Sequence, residues 1–269
     1  MLAAGILGAQ AARVKAYDRV DVVTAKCRAV SRRSGWSFGA VCATAGAMKR
    51  WTTLARATTP DGSALTLNEH DGEYVLRVNG RELMSNMRHA SELRLGELGG
   101  LAAKGPRPRI LIGGLGLGFT LRGALAKAPR DAEVVVAELM PEVVEWNRNT
   151  AWPLAHDVMA DPRTQVVIGD VFALIAKADK PFAAILLDAD NGTTAMMTAG
   201  NKRLYDSAGI GRVKAALAPG GVAVYWSAVA REPELERACQ KLGLNVTTEV
   251  IRAYGHGGPR HSLTIARRV

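Results

Sequence analysis

Short, continuous apolar runs alternate with stretches of helical composition through the second part of this chain. Five such runs occur between residues 109 and 228: RILIG, EVVVAEL, TQVVIGD, FAAILLDAD and GVAVYWSA. Runs of this length without polar alternation are typical of strands buried on both faces, and the stretches between them can form crossover helices. The pattern predicts an α/β fold with a mostly parallel sheet of about seven strands. Two further runs joined by GHGG predict an antiparallel C-terminal pair at its edge.

The segment before these runs has a different period. Apolar and polar residues alternate in ALTLNEHDGEYVLRVNGREL, and Asp71-Gly72 and Asn79-Gly80 interrupt the alternation as turn signals. Ser91, followed by acids, indicates a helix cap. We therefore predict a small β-rich region over 49–100 and a Rossmann-like catalytic domain over 101–269, preceded by a poorly ordered extension over 1–48.

Composition and charge restrict the class of protein. The 269 residues carry a formal net charge of +10, but half of the excess falls in the first 47 residues, which hold seven Lys or Arg against two Asp. No zinc-finger spacing, RNA-binding aromatic motif or block of Lys and Arg follows, so we expect no nucleic-acid partner. The three cysteines form neither a disulfide framework nor a metal set. No run approaches the ~18 apolar residues of a membrane span, and we expect a cytoplasmic protein without a metal.

The first 47 residues allow two interpretations. They are poor in acids and bear Arg and Ser, as transit peptides do. They also fit an upstream extension, with the folded sequence starting near Met48. We favour the extension, because no cationic flank precedes the apolar opening.

Candidate ligand-binding residues follow the predicted strands. Gly113, Gly114, Gly116 and Gly118 fall within six residues after the first run, where absent side chains let a ligand approach the backbone. Glu138 ends the next strand, in a position suited to accepting hydrogen bonds from ribose hydroxyls. After the third, Asp170 can meet an adenine amino group or cap a helix, and its neighbour Val171 joins the predicted cofactor site.

The glycine pattern differs from both the phosphate-binding Gly-Lys-Ser/Thr loop and the dinucleotide fingerprint. A ribose-binding acid without a pyrophosphate-binding loop indicates that the ligand is S-adenosylmethionine or a relative of it. Over residues 105–269, this arrangement and the antiparallel terminal pair resemble class I S-adenosylmethionine-dependent transferases, which implies the methyltransferase fold.

Within that class the chain resembles the spermidine synthase family of polyamine aminopropyltransferases, especially its bacterial spermidine synthase-like branch. The matching segments are HASEL, GGLGLGFTLR, VVVAELMPEVVEWNR, VVIGDVFAL, LLDADNG and LYDSAGIGRVKAALAPGGVAVYWS. The resemblance implies aminopropyl transfer from decarboxylated S-adenosylmethionine to a small-molecule amine such as putrescine. It implies that Glu138 binds the ribose, that Asp170 contacts the adenine, and that Asp188 accepts a proton from the attacking amine. It also implies a homodimer.

Other positions are assigned more loosely. Asp190 can help to anchor the cationic amine, although DADNG also fits an Asx turn. Glu92 is what remains of a Tyr-His-Glu motif of the family, read here as Ala90-Ser91-Glu92, and we place it with Trp226 in the substrate site. Core or rim packing is the alternative for Trp226.

Some motifs depart from the family pattern. The glycine loop lacks the acid that holds the aminopropyl ammonium in the family, since Leu115 and Leu117 lie between its glycines. Two other functions therefore remain open, a methyltransferase that uses S-adenosylmethionine itself and a non-catalytic nucleoside-binding protein.

Overall fold

The computed structural model describes residues 50–188 and 203–269, which form two β-sheets and seven helices. The predicted extension over 1–48 and the predicted catalytic residue Asp190 lie outside the described residues. Within residues 50–188 and 203–269, no helix is both long and apolar enough to cross a membrane.

The N-terminal sheet is antiparallel throughout. Its strands follow one another in chain order: β1 (Thr52–Thr58), β2 (Ala64–His70), β3 (Glu73–Val78) and β4 (Arg81–Ser85). The turns that join the last three have positive φ at both central residues, 49° and 82° at Asp71-Gly72 and 49° and 78° at Asn79-Gly80. Two-residue turns of this type match the twist of paired strands, which explains the strong turn signal of Asp-Gly and Asn-Gly.

The main sheet has seven strands in the order β10-β11-β9-β8-β5-β6-β7. Its strands are β5 (Arg109–Gly113), β6 (Glu133–Glu138), β7 (Thr164–Ile168), β8 (Phe182–Leu187), β9 (Leu217–Ser227), β10 (Leu244–Arg252) and β11 (Arg260–Arg268). The first five are parallel to one another, and β11 is antiparallel to both β9 and β10. The predicted fold class is confirmed. One detail is wrong, because β7 is an edge strand and Ile168 is 57% exposed, whereas the apolar run predicted burial on both faces.

Helices cover both faces of this sheet. They are α1 (Ala90–Ala102), α2 (Phe119–Lys127), α3 (Pro141–Arg148), α4 (His156–Met159), α5 (Val171–Ala176), α6 (Ser207–Ala216) and α7 (Pro233–Lys241). Successive residues of β5 enter different cores: Ile110 and Ile112 pack with residues of α1, α2 and the N-terminal sheet, and Leu111 packs with residues of α5, α6 and α7. This two-sided burial produces the continuous apolar runs of the sequence.

Helices α1 and α2 touch through their backbones. A Cβ on Gly96 would lie 2.1 Å from the carbonyl oxygen of Thr120, and one on Gly123 would lie 2.2 Å from that of Leu93. Only residues without side chains allow this approach. It brings Glu92 on α1 close to Thr120 on α2, at the edge of the sheet where the predicted ligand residues lie.

Helix α1 does not begin as predicted. Its N-cap is His89, with no side-chain cap hydrogen bond, and Ser91 lies inside the first turn. The capping interpretation of Ser91 is therefore wrong. Its hydroxyl bonds instead with the side chain of Glu92 on the same helix and with those of Trp226 on β9 and His261 on β11.

Candidate active site

A cleft of about 940 Å³, part of it open to solvent, lies at the carboxyl ends of the parallel strands. Parallel strands present their loops and helix N-termini at this edge, where ligands of open α/β sheets bind. One wall is apolar and comes from the N-terminal sheet, through Leu65, Leu76, Leu83 and Met84. The other walls contain most of the residues that the sequence predicted: Glu92, Gly114, Gly116, Glu138, Asp170, Val171, Asp188 and Trp226.

The glycine loop divides into a ligand-facing part and a packing part. Gly114 and Gly116 line the cleft, and Gly116 has φ +53°. Gly113 and Gly118 are not among the lining residues. A Cβ on Gly113 would lie 2.9 Å from Val171, and one on Gly118 would lie 2.3 Å from the Cβ of Ala155. These two glycines allow close packing behind the loop.

The N-terminal sheet contacts the loop through a methionine. The amide of Leu117 donates a hydrogen bond to Met84 Sδ at 3.1 Å, and a Cβ on Gly116 would lie 2.7 Å from the same sulfur. Met84 therefore helps to hold the glycine loop in place.

Glu138 is buried at the tip of β6, with 6% of its surface exposed. Its Oε2 accepts a hydrogen bond from the Leu115 amide and its Oε1 accepts one from the Met140 amide, both at 2.8 Å. Burial raises the pKa of Glu138, and these amides oppose the rise. The amides of Leu139 and Gly116 also lower the pKa of this carboxyl group, and a carboxylate oxygen can accept more than one hydrogen bond. The backbone thus fixes a carboxylate that can accept bonds from two hydroxyl groups.

Asp170 serves the local structure and also faces the cleft. Its Oδ1 accepts a hydrogen bond from the Phe172 amide at 2.9 Å, as the N-cap of α5. Its Oδ2 pairs with Arg203, whose guanidinium lies 4.5 Å from the centre of the Phe172 ring. The predicted helix cap is confirmed, and Asp170 also lines the cleft.

Asp188 directly follows β8. Its amide donates to the Gly113 carbonyl at 3.0 Å, which continues the parallel pairing beyond the strand. Its Oδ2 accepts a hydrogen bond from Thr120 Oγ1 at 2.5 Å. Thr120 lies in the first turn of α2 and is buried, and its hydroxyl group holds the carboxylate of Asp188 in position.

Glu92 and Trp226 meet at a shared hydroxyl group. Glu92 is 4% exposed, and its Oε2 accepts a hydrogen bond from Ser91 Oγ at 2.5 Å. Trp226 Nε1 donates to the same Ser91 oxygen at 3.1 Å, and His261 Nδ1 lies 2.8 Å from it. Burial raises the pKa of Glu92, and the Ser91 bond opposes the rise.

Sequence reasoning missed several of these residues. Thr120 follows the glycine loop in FTLR, and the start of a helix beside that loop is a signal that could have identified it. His261 lies 170 residues from Ser91, so no local pattern joins them. The apolar wall residues of β2, β3 and β4 look like ordinary core positions.

The charge of the cleft favours a cationic ligand. Among its described lining residues, Glu92, Glu138, Asp170 and Asp188 carry carboxyl groups, and none is Lys, Arg or His. Apolar walls with a few convergent acids are typical of a small-molecule site. They would stabilise an organic cation and disfavour a phosphate or a nucleic acid backbone.

The chain has recognisable relatives. The family model described as the spermine/spermidine synthase domain matches residues 89–251. A search of curated protein sequences finds none that matches this chain. Among solved structures, the chain is similar to a spermidine synthase from Thermotoga maritima, with a TM-score of 0.65, 18% identity and coverage of 81% of this chain and 73% of that one.

A spermidine synthase crystallised with the transition-state analogue AdoDATO is similar to a comparable degree. Its TM-score is 0.63 at 17% identity, over 81% of this chain and 72% of that one. At such identities the structural likeness concerns the fold, which agrees with the α/β class. The family match covers more than half of the residues, including all four acids of the cleft. The chain therefore belongs to the spermine/spermidine synthase family, and it is a transferase of the aminopropyltransferase type.

Proposed function

We propose that this cleft transfers the aminopropyl group of decarboxylated S-adenosylmethionine to the nitrogen of a polyamine such as putrescine. The main support is the combination of the family match with two carboxylates, Asp188 and Glu92, that face the same cleft beyond the nucleoside-binding positions. An S-adenosyl donor needs the ribose and adenine contacts. An amine acceptor needs additional acids.

The described residues fit the nucleoside part of the donor. Glu138 would accept hydrogen bonds from the ribose hydroxyls with the acceptor positions that Leu115 and Met140 leave open. Asp170 would contact the adenine amino group, beside Val171. Gly114 and Gly116 present backbone without side chains to the ligand.

Asp188 has the position and chemistry of a proton acceptor. The positively charged sulfur of the donor activates the adjacent carbon toward attack by a nitrogen lone pair. An amine enters as an ammonium ion and must lose a proton, because only then does its nitrogen have a free lone pair. The N–C bond then forms, and the electron pair of the C–S bond leaves with the sulfur. Asp188 would accept that proton, and the Thr120 hydroxyl would hold its carboxylate in position.

Glu92 and Trp226 would form the acceptor side. Glu92 supplies negative charge in a nearly closed wall, and Trp226 offers an aromatic surface to the methylene chain and to the cation. Asp190 remains a proposed second anchor for the amine. We propose no metal.

Paired titration tests the donor assignment. Calorimetry with decarboxylated and intact S-adenosylmethionine, under identical conditions, should show tighter binding of the decarboxylated form. Preference for the intact form would favour methyl transfer instead. Binding of neither would contradict both enzyme assignments.

Substitution of Asp188 tests the chemistry. Asp188→Asn should lower kcat with putrescine by roughly 100-fold or more, in the range of lost general-base catalysis, and leave nucleoside affinity nearly unchanged. The exposed acid Asp179, changed to Asn, provides the matched control with normal turnover. A normal rate for the Asp188 variant would exclude its role as proton acceptor.

A further inference from the structure

We propose that Ser91 and His261 are positioning residues of the acceptor-amine site: together with Trp226 they hold the carboxyl group of Glu92 in a fixed orientation facing the amine. The inference deepens the proposed function and rests on it for the identity of the amine. It gives a role to two residues from opposite ends of the domain that no motif connects.

The proposal starts from the bonding capacity of one oxygen atom. Ser91 Oγ has three partners, Glu92 Oε2 at 2.5 Å, His261 Nδ1 at 2.8 Å and Trp226 Nε1 at 3.1 Å. A hydroxyl group donates one hydrogen bond and accepts two. The three partners therefore saturate it, provided that one receives the proton and two donate.

The direction of each bond follows from the chemistry of the partners. The indole nitrogen of Trp226 can only donate. The O···O distance to Glu92, 2.5 Å, lies in the range of a charge-assisted bond from a hydroxyl to a carboxylate, so the Ser91 proton points to Glu92. The remaining acceptor position then requires His261 to donate from Nδ1.

The bond from Ser91 favours the charged form of a buried acid. Burial raises the pKa of Glu92, and the bond from Ser91 acts in the opposite direction. With its two acceptor positions filled by Trp226 and His261, Ser91 has no other orientation that satisfies all partners. Glu92 thus presents its second oxygen to the cleft in one direction, which favours an ammonium ion.

His261 is held in place to perform this role. It lies on β11, where it pairs with Ile251 of β10, and the next residue, Ser262, pairs with Ser227 of β9. Its ring meets the indole of Trp226 edge-on, with centroids 4.8 Å apart. Burial lowers the pKa of His261, so the ring is neutral at pH 7 and carries its single proton on one nitrogen.

The glycine loop explains why this support is needed. Where the family has a loop acid for the aminopropyl ammonium, this chain has Leu115 and Leu117 between glycines, and Leu115 is buried. Besides Glu138 and Asp170, the described acids that line the cleft are Glu92 and Asp188. A buried carboxylate that faces an amine depends on the groups that orient it.

Nitrogen NMR tests the direction of the bonds. In the ¹⁵N-labelled full chain at neutral pH, His261 should show a protonated Nδ1 and an unprotonated Nε2, with the signal assigned by its loss in His261→Asn. Ser91→Ala should abolish the preference for this tautomer, because Nδ1 loses its acceptor. A wild-type ring protonated at Nε2 would overturn the proposal.

Amine affinity tests the consequence. Putrescine would be titrated into the protein saturated with 5′-methylthioadenosine, and aminopropyl turnover would be measured in parallel. His261→Leu removes the donor and should weaken amine binding and raise KM about tenfold, with kcat and nucleoside affinity within about twofold, as expected for one lost hydrogen bond. His261→Asn retains a donor near the Nδ1 position and should restore most of the affinity.

Controls separate the possible failures. His156→Leu changes an exposed histidine of α4 and should leave all values unchanged. Thermal unfolding checks that each variant is folded. Normal amine binding by His261→Leu, or equal losses in the Leu and Asn variants, would overturn the positioning role. Nucleoside binding by the wild type without any binding of putrescine would instead contradict the proposed function.

Discussion

The two halves of the cleft hold their buried glutamates by different means. On the side proposed to bind the nucleoside, here called the nucleoside half, Glu138 receives hydrogen bonds from backbone amides of Leu115 and Met140. On the side proposed to bind the amine, here called the acceptor half, Glu92 receives one from a serine side chain that also bonds Trp226 and His261. Burial raises the pKa of both acids.

This difference determines which of the hydrogen-bond donors a substitution can remove. Backbone donors are present for almost any sequence that keeps the turn, so the nucleoside half depends on the fold. Side-chain donors can be removed one at a time. The acceptor half is therefore the more adjustable part of the site, and the following substitutions test that contrast.

The largest expected effect is on the nucleoside half. In Glu138→Gln, an amide group would face one of the backbone amides, donor against donor, and the charged acceptor for the ribose would be lost. We expect nucleoside affinity to fall by about 3 kcal/mol, roughly 100-fold, measured by calorimetry with 5′-methylthioadenosine. Glu92→Gln is the matched comparison and should leave this affinity nearly intact. Equal losses in both variants would contradict the division into two halves.

The same contrast predicts a pH dependence. The ionised form of Glu138 accepts the ribose hydroxyls, so affinity is present above its pKa and is lost as pH falls through it. Because burial raises the pKa of Glu138 above the ordinary value of 4.5, the loss should begin at a higher pH than for an exposed carboxyl group. Calorimetric titrations with 5′-methylthioadenosine at a series of pH values should show this fall in affinity for Glu92→Gln and not for Glu138→Gln.

A smaller effect is expected where the helices that carry the acceptor half meet. Gly96→Ala would place a Cβ 2.1 Å from the Thr120 carbonyl oxygen, so α1 and α2 must separate. We expect the free energy of unfolding to fall by about 2 kcal/mol, measured with denaturant, and amine affinity to fall with it. Gly211→Ala on α6 is the control, since nothing lies within 4 Å of its Cβ position. Unchanged stability of Gly96→Ala would show that the helix contact tolerates a side chain.

The next effect isolates the hydroxyl beneath Asp188. Thr120→Val keeps the shape of the side chain and removes the donor to Asp188 Oδ2. We expect kcat to fall about tenfold while nucleoside affinity is retained, because one hydrogen bond to a charged group is lost. Thr120→Ser keeps the hydroxyl and should retain most of the activity in steady-state assays. Loss of nucleoside binding in the Val variant would show that Thr120 supports the nucleoside half of the cleft, contrary to this prediction.

The smallest effect concerns the contact between the N-terminal sheet and the glycine loop. Met84→Leu conserves volume but removes the sulfur that accepts from the Leu117 amide. We expect nucleoside affinity to change by less than about threefold, since sulfur is a weak acceptor and the swap fills the same space. A larger loss by calorimetry would mean that the N-terminal sheet has a stronger influence on the glycine loop.

The sequence could predict that Glu138 and Asp170 lie at the same edge of the sheet, because this placement depends on local elements. Glu138 ends β6 and Asp170 follows β7, and parallel topology brings such positions together at one edge. The acceptor half could not be predicted in the same way. Ser91 looked like a helix cap, yet its bonds run to Trp226 and His261, 135 and 170 residues away. Side-chain contacts over such separations depend on packing, which periodicity does not report.

The order of the strands affects when the acceptor half can form during translation of the chain. Strand β11 follows β10 in the chain but lies between β9 and β10 in the sheet. During translation, β5 to β8 emerge before β11, which carries His261. The strand ends that line the cleft can therefore be present before Ser91 has His261 as a partner, and the proposed support of Glu92 is complete only once β11 has paired with β9 and β10.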